Sequence, residues 1–152
     1  RVNNFCGSFL KHGGEDSHMP VRLFKKNKAS FSRAGARIHE EAVIDGPVGE
    51  LDAVMEHYNF PDVSHYITTQ DFYSDLEAKA MNEKLPLMPL KKLKGEMLFA
   101  VPKLFIKVYI RKKAYKDGAR GLIFAALSAW RRFLIYAKYW ELNKNHYDKS
   151  ER

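Results

Sequence analysis

From Ala119 to Asn143 large apolar residues recur at helical spacing, and this stretch limits the fold more than any other. Leu122, Ile123, Leu127, Trp130, Phe133, Leu134, Ala137 and Trp140 form a wide apolar face, while Arg120, Arg131, Arg132, Lys138 and Glu141 gather opposite it. Such a helix must lay its apolar face on something. The longest uncharged run, Gly121 to Trp130, is ten residues, whereas a membrane-spanning helix needs about 20. The cover is therefore protein, or the surface of a bilayer. A second helical pattern, Met97–Tyr115, comes first, with Pro102 read near its start, where proline does least harm. Asp117-Gly118 separates the two.

Pro86 and Pro89 rule out regular helix across Leu85–Leu90. They divide the chain into residues 1–89 and 90–152. The +8 net charge of the 152 residues is divided too. Residues 1–89 hold 10 Lys/Arg and 13 Asp/Glu, a balance of −3, and residues 90–152 hold 16 and 5, a balance of +11. A basic surface of this kind seeks an anionic partner. Basic side chains flanking aromatic and aliphatic ones suit lipid head groups, and each contributes about 1 kcal/mol near an anionic bilayer. Lys103, Lys107, Arg111, Trp130, Arg131 and Arg132 are the candidate membrane contacts. Nucleic acid fits less well: no helix-turn-helix, zinc or RNP signature is present, and the aromatics sit within the apolar stripe. Packing of both helices on the rest of the protein is the plainer use of the same faces, and the two uses are compatible.

The first 89 residues read as short strands and turns followed by one helix. Val2 to Leu10 alternates loosely and ends in the turn His12-Gly13-Gly14. Val21–Lys25 reads as a second strand, Lys26–Gly35 as a loop, and Ala36–Val43 as a third strand closed by the turn Asp45-Gly46-Pro47. Leu51, Val54 and Met55 have the spacing of one helical turn. Thr69 or Asp71 is positioned to cap a helix running to Lys84, with Phe72, Leu76 and Ala80 on one stripe. Cys6, the single cysteine, excludes an intrachain disulfide and fits a reducing compartment.

Polar residues collect in this region. Arg22 can hold a phosphate or carboxylate. His39-Glu40 ends the third strand, and its carboxylate can act as a general base on a hydroxyl. His57 can complete a divalent-metal site, although no second ligand lies at helical spacing from it. Glu15-Asp16 is a further acidic pair. There is no GxSxG, CxxC, HExxH, P-loop or GxGxxG, and Cys6 has no neighbouring base.

In chain order these pieces are Arg1 to Phe5, Gly7, His12-Gly13-Gly14, Arg22-Leu23-Phe24, His39-Glu40, Gly46-Pro47-Val48-Gly49-Glu50-Leu51 and His57-Tyr58. A helix with Tyr73 and Ala78 follows, then Asp117-Gly118-Ala119-Arg120-Gly121-Leu122 opening a long helix. The series resembles the carboxy-terminal half of a family 2 glycosyltransferase, in particular bacterial enzymes of lipopolysaccharide-core and capsule synthesis. The resemblance implies an α/β chain: part of a GT-A catalytic domain, few short strands plus helices, over residues 1–89, then a basic amphipathic helix pair over 90–152. It implies a nucleotide-sugar donor, a glycan or lipid-linked acceptor, a divalent Mg or Mn ion and inversion at the anomeric carbon. Glu40 falls at the base position. His39 and Arg22 fall among substrate contacts, and His57 near the metal–diphosphate. Glu15-Asp16 stands where the family has an aromatic residue, which keeps Asp16 as a second candidate base. The family's nucleotide-binding half, with its Asp-x-Asp motif, is not among these residues, so the isolated chain is expected not to transfer sugar. The basic helices imply a peripheral site on the cytoplasmic face of the plasma membrane. The alternative is a non-catalytic peripheral membrane or interaction module.

Overall fold

The computed structural model describes residues 1–14, 21–32 and 41–150. Strand β1 (Val2–Phe5) turns through Cys6 and Gly7, at φ 50° and 79°, into the short antiparallel β2 (Ser8–Phe9). Two consecutive left-handed residues make the hairpin turn whose twist matches the strands. On its other edge β1 pairs in parallel with β5 (Glu56–Phe60), giving the order β2-β1-β5. Asn3 lies opposite His57, and Phe5 opposite Phe60, so β5 carries one extra residue. The bulge disturbs the ladder. The Asn59 amide nitrogen compensates, donating to the carbonyls of His57 (3.0 Å) and Asn4 (3.2 Å). Strands β3 (Ala29–Ser32) and β4 (Glu41–Ile44) form a separate antiparallel pair.

The rest is helical. Helix α1 (Val63–Lys84) starts at Asp62, whose carboxylate accepts the His65 amide at 2.7 Å. Helix α2 (Leu90–Ile106) continues into a π-helical turn, Lys107–Arg111. A 3-10 turn (Ala114–Asp117) leads to α3 (Gly118–Leu142), and α4 (Lys144–Ser150) follows. Tyr66 meets Ser128 and Asn82 meets Asn143, so α1 and α3 lie side by side in one direction. Met88 and Glu96 of the α2 side meet Tyr139 and Tyr136, so α2 runs against α3.

The main core joins both sides of the proline-rich stretch. Phe5 and Leu10 from the hairpin, Tyr66 from α1, Val108 and Ala114 after α2, and Phe124 and Ala125 from α3 are buried together. Phe5 meets the rings of Tyr66 and Phe124 edge-on at 5.3 and 5.9 Å, the arrangement that ring quadrupoles favour. A second cluster, Ala78, Leu93, Tyr139 and Tyr147, closes the far end. There the Met88 amide donates to Tyr139 Oη (3.0 Å) and Tyr147 Oη donates to the Met88 carbonyl (2.7 Å). Burial, then the neighbouring Tyr139, pushes the Tyr147 pKa up to about 12.

The mixed α/β architecture agrees with the sequence; several details differ. Val21–Lys25 has no regular structure, and β3 occupies the expected loop. Of the expected third strand, Ala36 to Glu40 lies outside the described residues. The apolar spacing of Leu51 to Met55 makes no helix, because the following residues pair with β1 instead. Helix α1 begins well before Thr69, since Asp62 caps it. Helix α2 begins directly after Pro89, so Pro102 lies inside it. Proline cannot bond the carbonyl four residues back; that carbonyl belongs to Leu98, 69% exposed, where water can reach it.

Helix α3 shows the largest difference. It buries Gly121, Phe124, Ala125, Ala129, Ile135 and Tyr139. Leu122, Ile123, Trp130, Phe133 and Trp140, which the sequence places on the apolar face, point outward. The helix is apolar on two sides, and the side rich in small residues allows α1 and α2 to approach. A Cβ at Gly121 would strike the Ala114 carbonyl.

Candidate functional site

Asn3 and His57 are register partners on parallel strands, so their side chains emerge together on the helical side of the sheet. His57 Nδ1 lies 2.9 Å from Asn3 Oδ1. An amide oxygen only accepts, so Nδ1 carries the proton and Nε2 keeps its lone pair. Burial lowers the His57 pKa, and the charges of Arg1 and Arg22 lower it further. The ring is thus a neutral imidazole near neutral pH, set among cations.

These residues border a cavity of about 370 Å³ between the β1–β5 pair and helices α1 and α3. Asn3, His57 and Asn59 line the sheet side. Tyr66, Thr69, Gln70 and Tyr73 come from α1, and Phe124, Ser128 and Arg131 from α3. Arg1 closes one margin and Leu104 another. Tyr66 Oη and Ser128 Oγ are 3.2 Å apart. Arg131 bonds Glu77 through Nη2, while its buried Nε has no hydrogen-bond partner. Helical spacing explains the convergence: Tyr66, Gln70 and Tyr73 share one face of α1, as Phe124, Ser128 and Arg131 share one face of α3.

A second arrangement holds the turn after β2. The Asp117 carboxylate accepts from the His12 amide (2.9 Å), from His12 Nδ1 (2.9 Å) and from the Lys11 amide (3.4 Å). The Gly13 amide donates to the Lys112 carbonyl at 2.8 Å. Gly13 and Gly14 have φ of 82° and 87°, a region that β-carbons resist. Arg120 Nε reaches the Cys6 carbonyl at 3.2 Å. The start of α3 is thereby clasped to the hairpin. Asp117-Gly118 reads in the sequence only as a helix separator; no local pattern announces a clasp across 105 residues.

Glu40, His39 and Asp16 lie outside the described residues. Arg22 and His57 are brought within electrostatic reach of one another; Arg22 is exposed. Arg131, assigned from sequence to a membrane face, turns inward to Glu77 and the cavity. Lys138, on its expected charged side, pairs with Asp71 (2.6 Å) and Asp75 (2.7 Å) of α1. Lys103, Lys107, Arg111, Trp130 and Arg132 are exposed. Sequence reading missed Asn3 and Gln70 at the cavity, because amides carry no recognisable spacing. His57 offers one imidazole nitrogen, but no group of three His, Cys, Asp or Glu among the described residues could hold a metal ion. Those residues alone do not fit the divalent ion that the resemblance implies. No helix among them is long and apolar enough to cross a membrane.

The placement of His57 gives a direct check. Arg22→Ala is expected to raise the midpoint of His57 imidazole titration toward its ordinary value of 6.5, read from its NMR shifts. An unmoved midpoint would separate the two residues.

No protein-family model matches the chain, and no solved structure matches it. Curated relatives do. The chain is 25% identical over 130 residues to an uncharacterized glycosyltransferase of Rickettsia typhi, covering 81% of this chain and 43% of that protein. It is 24% identical over 130 residues to one of Rickettsia prowazekii, with the same coverage. It is 26% identical over 141 residues to one of Rickettsia felis, covering 86% and 48%. The chain spans just under half the length of the relatives it matches. The site therefore belongs to a chain distantly related to bacterial proteins named as glycosyltransferases.

Proposed function

We propose that the chain is the acceptor-side part of an inverting glycosyltransferase of the GT-A, family 2 kind, acting in cell-envelope polysaccharide synthesis. The supporting observation is His57 bonded to Asn3 across the β1–β5 pair, with Arg1 and Arg22 within electrostatic reach, in a chain similar to proteins named glycosyltransferases. In this reading Glu40 removes a proton from an acceptor hydroxyl. The freed oxygen attacks the anomeric carbon of a nucleotide sugar, and the nucleoside diphosphate departs from the opposite face. Developing charge on the diphosphate is met by cations, of which Arg22 is one. Asp16 is the other candidate base. A divalent ion would draw its carboxylates from outside the described residues.

The same reading places the protein on an anionic membrane surface at the cytoplasmic face. Its support is the outward side of α3. Trp130, Phe133 and Trp140 are each more than a third exposed, and Lys103, Lys107, Arg111 and Arg132 are exposed as well. Flotation with vesicles containing phosphatidylglycerol is the check. We expect binding to weaken with salt and to drop at least tenfold for Trp130→Ser/Trp140→Ser. Binding that ignores both changes would remove the membrane from the proposal.

The transferase assignment is tested on the reading frame upstream of Arg1, expressed together with these residues. An in-frame Asp-x-Asp segment and sugar transfer to a glycan or lipid-linked acceptor would support it. A start codon close to Arg1, or no transfer by the longer product, would favour an interaction module.

A further inference from the structure

We infer that the cavity between the β1–β5 pair and helices α1 and α3 seats one pyranose ring of the acceptor and holds it through its hydroxyl groups. As an acceptor subsite it rests on the transferase reading above. Two side chains that line the cavity set the chemistry of what fills it. Arg131 bonds Glu77 through Nη2, but its Nε–H is a buried donor with no acceptor among the described residues. His57 commits Nδ1–H to Asn3 Oδ1 at 2.9 Å, which leaves Nε2 as an acceptor with no donor among the described residues. A ligand that answers both must accept at one point and donate at another. Fully ionised phosphate only accepts, and an ammonium group only donates. A hydroxyl does both, and a ring carrying several does so at several points. Leaving the buried Arg131 Nε–H unmet is costly, so its match counts for more than one on the open surface.

Size and shape agree. The volume of about 370 Å³ lies near the lower end of the roughly 300–1,000 Å³ usual for ligand pockets, and equals that of about a dozen waters. One sugar ring fits; a whole nucleotide sugar does not. Tyr66 and Ser128 hold each other at 3.2 Å, and Asn59 is fixed by two backbone carbonyls, so part of the wall is already set. The Thr69 hydroxyl and the Gln70 amide also line the space, and neither has a side-chain partner among the described residues. They add donors and acceptors for the rim of a ring. The rings of Phe60, Tyr66, Tyr73 and Phe124 supply apolar wall, and their negative faces suit the C–H groups of a pyranose.

The test uses the full chain and follows the NMR signals of Arg131 Nε–H and the His57 ring. Glucose, galactose and mannose are the probes; cyclohexanol, glycerol, inorganic phosphate and uridine diphosphate are the comparisons. We expect at least one hexose to shift both signals saturably, at least tenfold more tightly than cyclohexanol or glycerol. Gln70→Ala should weaken that hexose at least threefold and leave the fold intact by circular dichroism. His57→Phe, read at Arg131, and Arg131→Lys, read at His57, should each weaken it at least as much. Monodeoxy forms of the same hexose separate direct contact from folding. For each of these two variants, one deoxy form should lose nothing further, because it lacks the hydroxyl that the missing group held. Equal losses across every deoxy form would remove that residue from the site. No saturable hexose binding, or cyclohexanol binding as tightly as the best hexose, would overturn the inference. Inorganic phosphate or uridine diphosphate binding more tightly than every hexose would make this a phosphate site and overturn it too. Because no turnover is measured, failure here leaves the transferase reading standing. Failure of transfer with retained hexose binding would sink only that reading.

Discussion

Glu40→Gln in the transfer-competent protein is expected to lower the turnover rate by about 10²–10⁴-fold, the usual worth of a positioned general base. The amide keeps the size and shape of the acid and loses its charge and its capacity to take a proton. Donor affinity should stay close to the parent value, since the base contacts the acceptor hydroxyl and not the nucleotide. Steady-state kinetics with donor titration separate the two quantities. Asp16→Asn is the matching substitution. Collapse there, with Glu40→Gln near the parent rate, would move the base to Asp16. Parent-like rates in both would end the proposed mechanism.

Gly121→Ala carries the largest expected effect on stability. Glycine inside a helix is ordinarily a weakness, and alanine there gains about 1 kcal/mol. At Gly121 the sign reverses, because the added carbon meets the backbone carbonyl of Ala114. That carbonyl cannot retreat easily. Ala114 is buried in the core, and the turn after it ends at Asp117, which is held to His12. Overpacking of this sort costs about 3 kcal/mol, a large share of the roughly 5–15 kcal/mol of a typical domain. Gly95→Ala in α2 is the control: its β-carbon meets open space, so that variant should be more stable than the parent. Urea unfolding of both variants decides the matter. Gly121→Ala matching Gly95→Ala would mean that α3 does not approach the 3-10 turn as described.

The sequence and the structure agree where the signal is local. Helix α3 ends within a residue of its expected limits, because Asp117-Gly118 breaks the chain before it and Asn143 follows. They part where structure depends on distant partners. Glu56 to Phe60 shows no clean alternation, and it becomes a strand only because β1 supplies a neighbour. The orientation of α3 was hidden for a related reason. Two of its sides are apolar, and periodicity alone cannot say which meets α1 and α2. The decision falls to Gly121, Ala125 and Ala129, whose small size sets the approach. At the site, Arg22 and His57 were identifiable by residue type. The inward turn of Arg131 was not, since it depends on Glu77 from another helix.

The left-handed Cys6 at the hairpin tip has a practical use. Its backbone angle is one that asparagine or glycine adopts more readily than cysteine does. Replacing the lone thiol there leaves a background into which a single reporter cysteine can be introduced at will. Fluorophores or spin labels placed along the outward side of α3 would then read its surroundings one residue at a time.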